Sequence, residues 1–393
     1  MSKRILSFLV FSDLHAVVED RFSDDSHLIY KNNKSEFADA FLAHLRRLNK
    51  KFDAIICPGD LANKSADGSF HAAWKELNLI KQELDVHDLF CVPGNHDHDS
   101  RENSGIFDPK HRIQFIRPPF PCDDLTTATH FWAWHWCHIE RDKYNIILIN
   151  TSAFHGYGNE YQHGRISTEA SDQISAYVQS SKFPSKTINL IVCHHHPIKM
   201  EHVDVDYDIE AMDGGQYLLN KLEETNKGCW MVFHGHKHFS EIRLAPATSS
   251  EGITILSAGS LSARLHAKIN ERTSNQFYIV NIDMDKTENT GRAVGKFETY
   301  EWTILDGWHH SRSEKLPAMG GFGSIYTPTQ VARKIAQKLK DDGANFLDTG
   351  DLKQFEEMIE HMPPIDRRKL KERLDDLGLK TIFQNNELMQ VGK

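Results

Sequence analysis

Five short segments carry the residue types that metal-assisted chemistry needs. They are Asp13-Leu14-His15, Gly59-Asp60, Gly94-Asn95-His96-Asp97, His195-His196-Pro197 and Gly235-His236-Lys237-His238. Each follows a short apolar run. Carboxylate oxygen and neutral imidazole nitrogen both ligate divalent first-row ions. Two such ions roughly 3.5–4 Å apart can hold the attacking and the leaving oxygen of a phosphoryl displacement. That task needs ligands from several strands and one bridging carboxylate. Asp13 and His15 are two positions apart, which in extended chain puts both side chains on one face, where they can grip one ion. His236 and His238 share that spacing. Glycine before Asp60 and before Asn95 lets the backbone turn closely. Singly, each segment has an ordinary explanation: Asp60 as a helix cap, Gly94-Asn95 as a turn. All five together, in this order and each after an apolar run, point to a metal centre.

The elements that must position these loops read as an α/β fold. Ile5–Phe11, Ala54–Cys57 and Leu89–Val92 are strand candidates, separated by two helical stripes. The first stripe is Phe37, Phe41, Leu45 and Leu48; the second is Trp74, Leu77, Ile80 and Leu84. Strand, helix, strand, helix, strand predicts parallel strands, and ligands of such sheets gather at the carboxyl ends, where these polar loops sit. Further strands are expected at His130–Trp136, Ile146–Ile149, Ile188–Cys193, Trp230–Phe233, Ile253–Leu256 and Phe277–Ile282, with helices near 168–180 and 216–223. The later connections are shorter, which suggests antiparallel pairing in a second sheet. After Trp302 the periodic pattern stops, and 305–326 reads as a linker or arm. Thr327-Pro328-Thr329-Gln330 then starts a helix with a capping box. Three narrow stripes follow, ending at Gly343, Pro363-Pro364 and Gly378. The expected division is 1–304, 305–326 and a small helical module over 327–393.

Composition sets outer limits. The chain has 393 residues, a formal net charge of −9 and 24 histidines. From Glu301 onward Lys and Arg number 14 and Asp and Glu 15, so the acidity lies in the larger N-terminal part. A strongly basic, backbone-binding nucleic-acid protein is disfavoured. The six cysteines form no Cys-x-x-Cys pair and fit a reduced, cytoplasmic protein rather than a disulfide framework. Ile5–Phe11 is too short to span a membrane.

The set Asp-x-His, Gly-Asp, Gly-Asn-His-Asp, His-x-Pro and Gly-His-x-His resembles the calcineurin-like metallophosphoesterase superfamily, over residues 1 to about 300. The resemblance implies a two-sheet sandwich flanked by helices, with a dinuclear metal centre at one edge. Asp13, His15, Asp60 and His238 would hold one ion. Asp60, Asn95, His195 and His236 would hold the other, with Asp60 bridging. Three histidines adjoin at 194–196; the family pattern places the ligand two before proline, which selects His195 and leaves His194 as the competitor. His96 matches the histidine that contacts the phosphate and can protonate the leaving oxygen. Asp97 would orient the loop or His96. The implied reaction is attack on phosphorus by a metal-activated hydroxide, with two divalent ions drawn from Mn, Fe, Co, Ni or Zn.

Details narrow the family. Asn63 stands where purple acid phosphatases place a tyrosine ligand, and Gly94-Asn95-His96-Asp97 differs from the Gly-Asn-His-Glu of protein phosphatases. The segments are most similar to those of small phosphodiesterases acting on cyclic nucleotides. A nuclease of the same superfamily is the alternative, and a partner-binding module is the alternative of another class. The helical module is expected to serve self-association or a protein partner. Among the other histidines, His98 reads as a loop residue and His234 as a support for the ligands. His130, His135 and His138 read as part of an aromatic strand, His155 and His163 as candidates to approach substrate, and His309-His310 as solvated.

Overall fold

The computed structural model describes residues 4–18, 23–66, 68–100, 108–157, 163–200, 211–245, 252–265, 273–313, 316–384 and 387–393. Three strands begin the first sheet in parallel: β1 (Ile5–Val10), β4 (Ala54–Cys57) and β5 (Asp88–Cys91). Between β1 and β4 lie a two-strand pair, β2 (Val17–Val18) with β3 (Ile29–Tyr30), and helix α1 (Glu36–Leu48). Helix α2 (Ser69–Glu83) joins β4 to β5. Both helices bury the predicted stripes except at their last positions, Leu48 and Leu84, which are half-buried. Phe41 of α1 meets Phe11 at 5.4 Å and Phe277 at 5.3 Å. Asn49 ends α1 in the left-handed conformation, at φ 48°.

The second sheet is mostly parallel, not antiparallel. It contains β6 (Trp136–Glu140), β7 (Tyr144–Ile149), β8 (Ile188–Val192), β9 (Cys229–His234), β10 (Glu241–Leu244) and β11 (Thr254–Ser257). Its order is β10-β11-β9-β8-β7-β6, and β7, β8, β9 and β11 run parallel. Crossovers through α5 (Thr168–Gln179) and α6 (Gly215–Glu224) permit this, since each is long enough to return the chain. The sheets face each other across aromatic contacts, Phe8 of β1 standing 5.5 Å from Tyr144 and 6.3 Å from Phe233.

Two further readings need correction. The segment 130–136 is not a strand: α4 (Leu125–Trp134) holds most of it, after the short α3 (His111–Gln114). Asp124 caps α4 by accepting from the Thr127 N–H at 2.7 Å, and His135 ends it at φ 65°. The aromatic alternation there is a helix against Phe120 and β6. The stretch 305–326 is not a free linker. It follows β12 (Asn275–Asp283), α7 (Met284–Thr290) and β13 (Gly295–Thr303), and contains β14 (Gly307–His310) and β15 (Met319–Phe322). Both pair antiparallel with β13 and extend the first sheet, whose order is β14-β13-β12-β1-β4-β5. His310 stacks on Tyr300 at 4.4 Å.

The C-terminal unit is helical only in part. It runs α8 (Pro328–Asp341), β16 (Phe346–Leu347), α9 (Thr349–Leu352), a 3-10 turn at Lys353–Phe355, α10 (Glu356–Ile359), α11 (Pro364–Asp376), β17 (Lys380–Gln384) and β18 (Glu387–Gly392). The capping box at Thr327 and Gln330 is present. The last strands escape a stripe search because they are only five and six residues long and show no helical period. This unit has its own apolar cluster, including Val331, Ile335, Leu352, Met362, Leu370 and Val391.

Candidate metal centre

The site sits where β1, β4, β5, β8 and β9 end. Beyond β1 and β4 the chain zips to itself: Asp13 N–H donates to Gly59 O, His15 N–H to Asp60 O and Ala16 N–H to Leu61 O, at 2.8–2.9 Å. The backbone here is not the extended chain that the Asp-x-His spacing suggested. Asp13, His15, Asp60, His236 and His238 all have positive φ, from 45° to 80°. Non-glycine residues pay for that conformation, and it persists only where surrounding bonds fix it. Gly94 allows the closest approach: a Cβ there would lie 2.1 Å from Asp60 Oδ1.

These turns bring the donors together. Asp13 and Asp60 are buried, and their partners are imidazoles and backbone N–H groups. His15 Nε2 lies 3.0 Å from His238 Nε2 and 3.5 Å from Asp60 Oδ2. His238 Nε2 is 3.4 Å from Asp13 Oδ1. Asn95 Oδ1 is 2.9 Å from His236 Nδ1. Four triads offer ligand atoms within 4.8 Å of one another: Asp13-His15-His238, His15-Asp60-His96, Asp13-Asp60-His194 and His194-His195-His236.

The residue that faces Asp60 and Asn95 is His194, where the sequence favoured His195. β8 ends at Val192 and the chain bends at 194–195, so counting back from proline no longer tells which way a side chain points. His194 Nδ1–H donates to Pro58 O at 2.8 Å, which leaves Nε2 3.3 Å from Asp60 Oδ2 and 3.1 Å from Asn95 Oδ1. His195 lies beside His236, ring centres 4.3 Å apart, but faces neither Asp60 nor Asn95: its Nδ1 is 2.9 Å from Thr151 Oγ1, and its buried Nε2 has no hydrogen-bond partner among the described residues.

This donor set fits metal ions. A neutral His194 turns a lone pair toward two oxygens, and His15 and His238 turn two ring nitrogens toward each other. Acceptors that face one another need a cation between them. Without an ion, the positive charge that these oxygens call for would fall on His194 itself. Burial works against charge on His194, yet Asp60 lifts its pKa to about 9. Burial would raise Asp60, but His194 and His96 hold it well below the carboxylate range. His15, buried among other imidazoles, falls to about 3.

Two residues act around this cluster. Lys64 N–H donates to His96 Nδ1 at 3.2 Å, so the neutral ring carries its proton on Nε2. The His96 ring stands 4.6 Å from that of His15. Asp97 lies behind the donors and accepts from Ala62 N–H at 2.7 Å and Gly94 N–H at 2.8 Å. It ties the Asp60 loop to the Asn95 loop, and burial with nearby Asp60 raises it to about 7. Spacing did not reveal Thr151 or Pro58, and it singled out Asn63 without showing its contact, an Oδ1 3.4 Å from His15 Nδ1. A carbonyl and a single hydroxyl leave no pattern to find. His234 contacts Gly235 O at 3.1 Å, and His98 is buried rather than in an open loop. His155 lies 5.3 Å from His195. The stretch 158–162 between His155 and His163 lies outside the described residues.

Carboxylate, amide and imidazole donors gathered at the strand ends of a two-sheet α/β fold define a centre of the metal-dependent hydrolase type. The chain belongs to the calcineurin-like phosphoesterase family, whose model matches residues 6–240. It is 26% identical over 196 residues to the 3′,5′-cyclic adenosine monophosphate phosphodiesterase CpdA of Haemophilus influenzae, a match covering 49% of this chain and 57% of that enzyme. Among solved structures it is similar to a purple acid phosphatase from yellow lupin (Lupinus luteus) seeds, at 13% identity and TM-score 0.46, covering 82% of this chain and 54% of that one. A dimetal phosphatase from Danio rerio is 11% identical at TM-score 0.42, with 70% and 95% covered. No helix among the described residues is long and apolar enough to cross a membrane.

Proposed function

We propose that the chain hydrolyses phosphodiester bonds with two divalent metal ions, and that its substrate is a cyclic nucleotide. The observation that carries the reading is the convergence of Asp13, His15, Asp60, Asn95, His194, His236 and His238, with acceptor atoms turned toward one another. Asp13, His15, Asp60 and His238 would hold one ion, and Asp60, Asn95, His194 and His236 the other. His194 takes the place first given to His195. When bound, such a pair supplies a water of lowered pKa and neutralises the phosphoryl oxygens. The mixed nitrogen and oxygen set admits Mn, Fe, Co, Ni or Zn.

The chain's own residues do the rest. Pro58 O fixes the His194 tautomer and Asn63 steadies His15. His96 carries its proton on Nε2 and would donate a hydrogen bond from there to the oxygen that leaves phosphorus, while water adds to phosphorus and the proton that water loses ends on that leaving oxygen. The likeness to CpdA supports a cyclic nucleotide. We place the unit bearing the centre through Phe322, since β14 and β15 complete its sheet.

The test is metal analysis of the purified chain, with hydrolysis assays on bis(p-nitrophenyl) phosphate, cyclic AMP and single-stranded DNA. About two ions per chain and turnover of cyclic AMP are expected. Cleavage of DNA with cyclic AMP untouched would make the chain a nuclease. Absence of both metal and hydrolysis would leave a binding module.

A further inference from the structure

We infer that two copies of the chain associate about a two-fold axis through the β13–β14 hairpin, the apolar tip of each copy seated in the groove between α1 and β14 of the other. This inference is independent of the proposed substrate. Thr303 and Gly307 form the last pair of the hairpin and leave a three-residue loop, 304–306. Polar and glycine residues build that loop: Asp306 N–H donates to Thr303 Oγ1 at 3.1 Å, and Gly307 turns the chain at φ 65°. Ile304 and Leu305 add nothing to it, being 81% and 94% exposed. A single apolar residue at a surface is ordinary, but turns favour polar residues, and two adjacent apolar side chains in water call for a partner.

The groove lies beside the tip. It has a volume of about 500 Å³, and its walls include Ala40, Ala43 and Arg47 of α1 and Gly307 and Trp308 of the hairpin. Trp308 anchors the hairpin to α1, its ring 5.7 Å from Phe37 and 5.1 Å from Phe41. Ala40 and Ala43 lie on one exposed helical face and are too small to fill the space between the two elements. Trp308 is only 7% exposed, yet its buried indole N–H has no acceptor among the described residues. A buried donor without an acceptor carries a desolvation cost that an incoming carbonyl removes. The groove thus asks for a short chain segment that brings a carbonyl and apolar bulk together, and the hairpin tip is such a segment.

Tip and groove adjoin on one surface, so a two-fold axis between them makes both contacts at once, as an isologous interface requires. The charges there are closed or self-complementary. Arg46 is held by Glu83, and Asp306 by Arg312 at 3.1 Å, with His309 Nε2 3.8 Å away. Glu36 and Arg47 remain, one at each end of the alanine stripe, with no ion pair among the described residues. Glu36, Ala40, Ala43 and Arg47 share one helical face. A two-fold axis perpendicular to α1 runs the facing helices antiparallel and sets each of these charges against its opposite in the partner. The C-terminal unit joins the other end of β13, where His361 meets Gly295, and leaves this face open.

The experiment is sedimentation velocity of the full chain from about 1 to about 100 μM, a range that spans the affinity of a small interface. The mass should rise from that of one chain toward that of two, with a micromolar midpoint. Ile304→Asp with Leu305→Asp should leave a single chain at every concentration. Both side chains are exposed, so this variant should keep the parent's unfolding midpoint. Ala43→Glu should also stay a single chain, because it fills the groove, while a carboxylate four residues before Arg47 favours the helix. Trp308→Phe, which keeps a ring and removes the donor, should weaken association by about tenfold. A parent that stays a single chain at about 100 μM overturns the inference and leaves the groove to a segment of another protein. Dimers that survive the tip variant or Ala43→Glu overturn it as well, because the two surfaces would then not meet.

Discussion

The metal centre and the joint between the first sheet and the C-terminal unit both gather charged groups from distant parts of the chain, but they balance them differently. At the centre, Asp13 and Asp60 are faced by imidazoles and by backbone N–H groups. At the joint, Glu360 lies between Lys286 and Lys296, at 2.9 Å from the latter, and His361 receives a hydrogen bond from Lys286 at 2.9 Å while donating to Gly295 O at 3.0 Å. The joint closes its own charge; the centre does not. A cluster of acceptors without a counter-charge marks a place for a ligand, and a compensated one marks structure. Mutations should therefore separate the two, the first region answering in metal content and the second in stability.

The sharpest break is Asp60→Asn. Losing the bridging charge should lower hydrolysis by about a thousandfold or more and reduce bound metal, with little change at the joint. Full activity of this variant would sink the two-metal reading. Next comes the histidine pair. His194→Ala should lose metal from the centre, whereas His195→Ala should keep its stoichiometry and lose about 10- to 100-fold in rate, as removal of a supporting residue does. Equal metal loss in both would return His195 to the ligand set.

That pair also shows what a single sequence makes legible. The five motif segments, the parallel strands before them and the helix stripes at Phe37 and Trp74 could be read because periodicity and glycine spacing are local signals. The direction of His194 could not, because it depends on a bend after Val192 and on the carbonyl of Pro58, 136 residues away. The same holds for Asp13 and His15, whose left-handed backbone follows from bonds to Gly59 and Asp60. The strand reading of 130–136 failed for a related reason: an aromatic alternation in a short window suits either period until a cap such as Asp124 is recognised. β14 and β15 were missed because short edge strands with glycines at 320 and 321 carry almost no apolar alternation.

Glycine substitutions probe the same contrast with smaller effects. Gly94 and Gly321 each allow a close approach, the first to Asp60 and the second to the backbone of Glu360, where a Cβ would lie 2.0 Å from the carbonyl oxygen. Gly94→Ala should displace Asp60 and cost metal. Gly321→Ala should push the C-terminal unit away and cost about 1–3 kcal/mol of stability, with metal content intact. Thermal unfolding with metal analysis on both variants measures this. A Gly321→Ala protein that unfolds like the parent would mean that the joint is looser than its contacts suggest.

The smallest effect is the most specific to the joint. Burial alone would raise the Glu360 carboxyl, but Lys286 and Lys296 bring it from 4.5 down to about 2. A carboxyl whose folded pKa lies below its unfolded one contributes stability that is complete above pH 4.5 and is lost as the pH falls through about 2. The Glu360 side chain is 22% exposed, so water screens the pair and the contribution is about 1 kcal/mol. Glu360→Gln should lower the unfolding midpoint by a few degrees at pH 7 and lose less than the parent between pH 4.5 and 2.5. Acid also protonates the donors of the centre, so both proteins are best compared after chelation, when any ion at the centre no longer contributes. Superimposable pH curves for the two chelated proteins would mean that the lysines merely neighbour Glu360, and that the apolar cluster and the backbone contact at Gly321 hold the unit in place by themselves.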